Sequence, residues 1–495
     1  MRTELRADVA VVGAGPAGMA AALAAADLGA QVVLVDAGTA MGGQIYRQPA
    51  TASAAAGPSV GPKLPRRLGR AVGHRGIRHL PGTMVWQAVK VTYVTDSEIG
   101  VGEVGGLEFR LWLTSAAGRT EAERSQPDQL LVRAVVVATG ASEVVLPFPG
   151  WELPGVTTVG AAQALLKGQG VVTGRRVVVA GSGPLLLPAA AGLAEAGVQV
   201  TAVLEANTVT AGTMVRGARL APFSKKVSEA GGYARILGRH RVAVRAGYAV
   251  TACQGDGRVE QATISRVDRD WRAVPGTGRQ VPVDAVHVSF GFSPALELAR
   301  LLGCADLPQA GRPAAATWCD ADQATSVPGV FAAGETTGVA GADVAELEGY
   351  VAGAAAARHL GLLSWGPFNK KTSRVRSALA RARDFARRLD TVYPWRPGGL
   401  DWPRADTLVC RCEEVPWAAI GAAVADGARD VRAVKGVTRC GMGYCQGRVC
   451  GPALQQAVAA ATGRGLSAVG DLGTRPLISP VTLGTIAGSA PHRRT

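Results

Sequence analysis

A short run of small apolar residues, Asp8 to Val12, leads directly into Gly13-Ala14-Gly15-Pro16-Ala17-Gly18, an Ala-rich stretch to about Leu28, and a second apolar run, Gln31 to Val35, that ends in Asp36. Strand, glycine turn, helix, strand and terminal carboxylate in that order read as a βαβ unit that binds an ADP moiety. Gly13 permits the tight turn, Gly15 lets the backbone approach a pyrophosphate, and Gly18 lets the helix pack closely on the strand. The free N–H groups of the helix N-terminus then face the phosphates, and Asp36 is placed to accept from a ribose hydroxyl. A glycine turn by itself occurs in many α/β proteins; the elements around this one give it meaning.

The order repeats once. Arg175 to Ala180 reads as a strand, followed by Gly181-Ser182-Gly183-Pro184-Leu185-Leu186, a helix to about Ala196, and a strand Val198 to Leu204 that ends in Glu205. Leu186 stands where the third glycine belongs, and its side chain is expected to push helix from strand beside the phosphate turn. Glu205 suits a ribose and repels a 2′-phosphate. No Cys-x-x-Cys lies near the first turn, so a disulfide-exchanging redox pair is missing there.

With 495 residues, 47% of them hydrophobic and 18% charged, the chain can bury two or three cores without disulfide staples. Gly, Pro or charge interrupts every apolar run before it reaches the 18 or so residues that a membrane span needs. Val9 to Ala26 has a specific glycine spacing and reads as folded core rather than as a signal peptide, so a cytoplasmic protein is expected. The net charge of +15 comes from scattered arginines with no interleaved stacking aromatics, which argues against nucleic-acid binding. The six histidines form no ligand pair or nucleophile constellation, and His287, in an apolar strand, reads as a core residue.

Three of the eight cysteines are isolated, and five, Cys410, Cys412, Cys440, Cys445 and Cys450, crowd into one window near the end. Clustered thiols in a chain without a secretion signal point to metal. Two thiolates from each of two tight turns supply the four ligands of a [2Fe–2S] cluster or a tetrahedral zinc. Cys410, Cys412, Cys440 and Cys445 are the expected ligands. Cys450 either replaces Cys445 or is a buried thiol one helical turn later. Ahead of this window, 361–404 loses β character: an Arg-rich helix from Ser373 to Leu389, with arginines all round it, precedes a Pro/Gly stretch. It reads as a connector with a solvated or partner-facing surface.

Gly42-Gly43-Gln44-Ile45-Tyr46-Arg47, Val135 to Gly140 and Gly329 to Glu335 resemble the flavin-contacting segments of the two-dinucleotide-binding flavoproteins, which include the glutathione reductase-like enzymes. That resemblance implies FAD, or another ADP-containing nucleotide, held by Gly13, Gly15, Gly18, Asp36, Gly43, Gln44, Arg47, Thr139, Gly140, Gly334 and Glu335. Glu335 stands where the family usually has Asp. The second unit then resembles the family's nicotinamide domain, retained as a scaffold. Cys-x-Cys followed by a downstream cysteine pair resembles the bacterioferritin-associated-ferredoxin-like [2Fe–2S] domain, with a gap of four residues in the second pair where that family usually has two.

Together with Gly291-Phe292-Ser293-Pro294, these segments resemble the larger subunit of heteromeric opine oxidases, hydrogen cyanide synthases and hydroxyproline or proline dehydrogenases. Heterotetrameric sarcosine oxidase is a more distant likeness. The fold class implied is α/β: two Rossmann-like domains, the second inserted in the first, plus a small α-helical four-Cys domain. The expected divisions are 1–160 with 275–360, 161–274, a linker 361–405, the cluster domain 406–470 and a tail 471–495. Gln48 to Arg70 is outside the resemblance and reads as a variable surface loop. The resemblance further implies one component of an oxidoreductase for CH–NH or CH–NH2 donors, with the substrate site on a partner chain. That partner would be a smaller, amino-acid-oxidase-like flavoprotein, alongside a small ferredoxin-like subunit, with FMN at an interface between chains and peripheral contact with a membrane. Two other readings stay open at this point: a self-sufficient NAD(P)H-dependent FAD oxidoreductase, and a zinc-stapled scaffold without catalytic chemistry.

Overall fold

The computed structural model describes residues 4–47, 65–71, 73–95, 103–116, 127–208, 224–309, 311–312, 314–473 and 475–489. Most of the Gln48–Arg70 segment therefore lies outside the described residues; its end forms a short helix, Arg66–Gly69.

The first unit is built on a seven-stranded sheet. Strands Ile77–Leu80, Val32–Val35, Glu4–Val12 and Gln129–Val137 lie side by side and parallel, and Val330–Ala332 joins the far end of Gln129–Val137, also parallel. A long antiparallel pair, Thr83–Thr95 and Glu103–Ser115, completes it. The parallel strands are runs of Val, Leu and Ala because both of their faces are covered, which removes the polar alternation of a half-exposed strand. Val9, Ala10 and Val11 accordingly show no exposure.

On one face lie the helices Pro16–Ala26 and Ala342–His359. They cross at backbone contact: a Cβ on Gly349 would collide with the carbonyl of Ala17, and one on Gly353 with that of Ala21. Helix Ala342–His359 thereby brings the preceding Gly334–Thr337 turn against the N-terminus of Pro16–Ala26.

The second unit has its own parallel sheet in the order Ala243–Ala246, Gln199–Glu205, Arg176–Gly181, Ala285–Ser289 and Val156–Thr158. The sheet reaches past 161–274 at both ends, because its last two strands come from the chain segments that enter and leave the unit. His287 is fully buried in it, its ring nitrogens 2.7 Å from the Thr157 hydroxyl and 3.0 Å from that of Thr173. Burial pushes its pKa down to about 4. The folded chain thus holds a neutral ring that the unfolded chain protonates near pH 6.5, so its contribution to stability is present above that pH and is lost as the pH falls toward 4. Thermal unfolding should show this as an acid slope of up to about 1.4 kcal/mol per pH unit between those limits. His287→Gln should flatten it; an unchanged slope would assign the acid sensitivity elsewhere.

The connector contains a helix of 28 residues, Trp365–Val392, which packs along Ala342–His359 and buries Phe368, Leu379 and Ala386. Its arginines do not simply face solvent, as their distribution suggested. Arg376 pairs with Asp322, Arg383 with Glu348, and Asp390 at its end with Arg312. These partners lie 35 to 78 residues apart in sequence, so a helical wheel of the connector does not reveal them. Arg358 covers the rings of Trp365 and Phe368 at 4.8 and 4.9 Å.

The cysteine region is a separate small core. The antiparallel pair Leu408–Cys410 and Val415–Pro416 packs with helices Trp417–Ala425, Val431–Thr438 and Gly451–Thr462 around Val409, Ile420, Val431, Leu454 and Val458. It is tied to the second unit by Trp151, whose indole N–H donates to the Leu408 carbonyl at 2.6 Å and whose ring lies 4.9 Å from the Arg411 guanidinium.

Candidate nucleotide cradle and thiol cluster

The three glycines of the first turn are required for different reasons. Gly13 has φ +108°, and a Cβ there would strike the Ala138 carbonyl; a Cβ on Gly18 would strike the carbonyl of Gly13. Both are demanded by the protein's own packing. Gly15 is not: the nearest protein atom to its Cβ position is the Gly43 Cα, 4.0 Å away. The hollow above Gly15 is a cradle that a side chain would fill, with the N-terminus of helix Pro16–Ala26 at its floor. The Gly42–Arg47 turn closes over it, held by a hydrogen bond from the Gly42 N–H to the Ala14 carbonyl at 2.8 Å.

Asp36 accepts from the N–H of Ala14 and, at 2.5 Å, from that of Gly38. It shapes the turn, and each oxygen keeps a further lone pair for a ribose hydroxyl. Gly140 has φ +76°, and the Thr139 hydroxyl donates to the Ala295 carbonyl at 2.9 Å, which ties that loop to the segment after Ala285–Ser289. Gly334, φ +78°, sits over Ala17, where a Cβ would lie 2.8 Å from the alanine methyl. Glu335 is half-buried; burial raises its pKa, against the Arg312 charge and a hydrogen bond from the Gly341 N–H. Arg47 bonds the Gln44 side chain at 2.8 Å and rests against Gly168 of the second unit. Its Nε is buried without a partner, and burial together with its charge lowers the pKa of Lys167. An open cradle over Gly15 and an orphaned guanidinium N–H fit a phosphate-bearing dinucleotide such as FAD.

The second turn differs at the position of Leu186. The first helix opens at Pro16 and the second at Leu186, three and five residues past the first glycine of their turns. The helix starts later than in the first unit, and Leu186 is buried in one core with the strand residues Val177 and Val179. Glu205 is engaged by the chain itself, accepting from the N–H of Gly183 and from the N–H and side-chain amide of Asn207, all at 2.9 Å. Asn207 in turn receives the indole N–H of the fully buried Trp271 at 3.3 Å. The end of the connector packs here. Trp395 meets Trp271 edge-on at 6.1 Å, Trp402 donates to the Trp271 carbonyl at 2.9 Å, and Gly398 donates to that of Asp270 at 2.9 Å. Tyr393 has its pKa pushed up to about 12 by burial and the charge of Glu205.

All five clustered cysteines converge. The sulfurs of Cys410, Cys440 and Cys450 lie within 4.8 Å of one another. Cys410 contacts the thiols of Cys440 and Cys450 and accepts from the N–H groups of Gly441 and Glu413, which hold it well below the ordinary thiol range. Cys445 contacts Cys450 and Cys412 and accepts from the N–H groups of Val449 and Gly447; it too is held low. Cys412, exposed, accepts from the N–H of Cys445. Backbone donors directed at sulfur are what a thiolate-ligated cluster uses to set its electronics. Contact with Cys410 pushes Cys440 up to about 12, and contacts with its three neighbours push Cys450 up. The sequence left Cys450 as the odd thiol; the structure brings it to the centre of the group, at the start of helix Gly451–Thr462.

Known proteins share both halves of this arrangement. A family model described as pyridine nucleotide-disulphide oxidoreductase matches residues 7–349, and one described as BFD-like [2Fe-2S] binding domain matches residues 408–460. The second match decides for an iron–sulfur cluster over zinc at the cysteines. An opine oxidase subunit from Agrobacterium tumefaciens (strain Ach5) is 33% identical over 488 residues, covering 96% of this chain and 89% of that protein. The HcnB subunit of hydrogen cyanide synthase from Pseudomonas protegens is 29% identical, covering 92% of each. The crystal structure of L-proline dehydrogenase from P. horikoshii superposes with a TM-score of 0.66 at 19% identity, covering 98% of this chain and 81% of that one, a likeness of fold. Among the described residues, no helix is long and apolar enough to cross a membrane.

Proposed function

The chain belongs to the pyridine nucleotide-disulphide oxidoreductase family, joined to a BFD-like [2Fe–2S]-binding domain and related over nearly its whole length to opine oxidase subunits, and from that premise we propose that this oxidoreductase relays electrons within a heteromeric amino- or imino-acid dehydrogenase. FAD exchanges electrons in pairs or singly, and a [2Fe–2S] cluster takes them one at a time, so the two together turn hydride chemistry into single-electron export. The observation that carries this reading is the pairing, on one chain, of an open nucleotide cradle over Gly15 with a convergent group of cysteines in a region that matches a [2Fe–2S]-binding domain. Such a chain has a place for a flavin and a cluster; the second turn, open over Gly183 but with Glu205 bound by Gly183 and Asn207, is read as a retained scaffold.

In this reading the cradle residues named from the sequence hold the dinucleotide: Gly13, Gly15, Gly18 and Asp36 at the ADP end, and Gly43, Gln44, Arg47, Thr139, Gly140, Gly334 and Glu335 toward the flavin. Cys410, Cys412, Cys440 and Cys445 ligate the cluster. Among these four, Cys410 contacts Cys440 and Cys412 contacts Cys445, each pair drawing one thiol from each turn, as two irons with two thiolates apiece require, and Cys450 also touches Cys410, Cys440 and Cys445. Cys450 is then the buried neighbour that packs the cluster from the helix side. The working divisions are 1–160 with 275–360, 161–274, 361–405, 406–470 and 471–495, with the strands Val156–Thr158 and Ala285–Ser289 moved to the second unit, whose sheet they complete. The substrate-oxidising partner is a smaller, amino-acid-oxidase-like flavoprotein; a small ferredoxin-like subunit with an interfacial FMN belongs to the same scheme. Reduced thiols suit a cytoplasmic complex, in peripheral contact with a membrane.

The test is purification under anaerobic conditions together with whatever co-elutes, followed by a visible spectrum, metal analysis and addition of NADH. The expected result is flavin and iron in the chain, an amino-acid-oxidising activity confined to preparations that contain the partner, and no bleaching by NADH. Bleaching of the isolated chain by NADH, or amine oxidation by it alone, would overturn the relay reading.

A further inference from the structure

Glu348 lies within helix Ala342–His359 and is 3% exposed. Its two carboxylate oxygens divide their work. One accepts from the Gly334 N–H and the Thr337 hydroxyl, each at 2.8 Å. The other accepts from Arg383 Nε at 3.1 Å and Nη2 at 2.7 Å. Gln323, fully buried, accepts from the same guanidinium at 2.9 Å when its amide nitrogen faces the Ala332 carbonyl at 3.1 Å. The turn Gly334–Thr337 is thus gripped from two sides, by Ala17 at the helix N-terminus and by Glu348. The charge that makes the second grip tenable comes from outside the nucleotide unit. A buried carboxylate whose single cationic partner is removed is strongly disfavoured, and Glu348 has no other ion pair among the described residues.

We propose that Arg383 is a positioning residue for the nucleotide site: from the connector helix it fixes Glu348, and through Glu348 it fixes the turn that faces the dinucleotide. This rests on reading the first cradle as the FAD site. It also gives the connector a role beyond joining, because the segment that carries the cysteine domain is pinned to the flavin turn.

The experiment uses the full-length chain and the variants Arg383→Met, Glu348→Gln, the double variant, and Arg387→Gln, which alters an exposed arginine of the same helix. Hydrogen exchange reads the turn without any ligand. In Arg383→Met the amides of Gly334–Thr337 should exchange about tenfold faster or more, as expected for losing one charge-assisted bond to a buried group. The Val9–Val12 amides should be unmoved. Fluorescence titration of deflavinated protein with FAD, and separately with ADP, should show FAD weakened by a similar factor. The double variant should recover part of both losses, since it removes the unpaired charge, and Arg387→Gln should match the parent. Parent-like exchange at Gly334–Thr337 in a folded Arg383→Met protein would overturn the proposal. A parent that takes ADP but not FAD would instead overturn the flavin reading, and the exchange result would still decide the role of Arg383.

Discussion

Cys412→Ser is expected to give a folded protein that keeps its FAD and has lost its [2Fe–2S] cluster. The side chain is exposed and contributes nothing to the small core around Val409 and Leu454, so the fold has little to lose by the exchange. The cluster has much to lose, because serine oxygen is a poor, hard replacement for a thiolate on iron. Iron per chain should fall to background while the flavin absorbance stays. The cysteine domain should also melt at a lower temperature, since cluster binding is part of its folding free energy. Cys410→Ser should remove the cluster too, but with a direct packing cost, its side chain being 1% exposed. Cys450→Ser is the informative contrast: a retained cluster supports the four-ligand set, and a lost one transfers a ligand position to Cys450.

Gly15→Val should act at the other cofactor with equal selectivity. No protein atom comes closer than 4.0 Å to the added Cβ position, so the βαβ unit should fold and the cluster should assemble. The valine side chain would occupy the hollow where a pyrophosphate must lie, and the purified chain should be iron-replete and flavin-free. Gly18→Ala should behave differently, because its methyl would be driven into the Gly13 carbonyl. Forced overpacking of that kind costs about 1–3 kcal/mol or more and should appear as lost stability rather than as selective flavin loss. Full flavin content in Gly15→Val would show that the hollow is not the pyrophosphate seat.

The first cradle was legible because its requirements are imposed on the backbone and leave their mark at fixed spacing. Gly13 and Gly18 are forced by local clashes and Asp36 by the turn it caps, while Gly15 is left open, as the proposed pyrophosphate seat requires. The second turn was legible as a departure, but its physical form was not. Leucine at position 186 was expected to wedge helix from strand; the helix begins later, and the side chain shares one core with the strand residues Val177 and Val179. Where a helix starts is a tertiary compromise that a six-residue motif does not encode. The engagement of Glu205 through Asn207 and Trp271, and the packing of Trp395 and Trp402 beside it, join segments up to 131 residues apart.

The same limit explains the connector. Its arginines were visible, but Asp322 and Glu348 belong to other elements, and only the packing of Trp365–Val392 on Ala342–His359 shows which cations are needed. At the thiols, spacing identified the set of five and a metal site, and the family match chose iron–sulfur over zinc. It could not rank Cys450, because a cysteine at a helix start and one in the preceding turn reach the same point.

The relay itself is tested most directly by placing electrons on the flavin and watching the cluster. The anaerobic complex, with FAD bound and no amine present, is photoreduced while optical and electron paramagnetic resonance spectra are recorded. The expected result is the signal of a reduced [2Fe–2S] centre growing as the flavin bleaches, and lost in Cys412→Ser. A flavin that bleaches completely beside a cluster that stays oxidised would contradict the account.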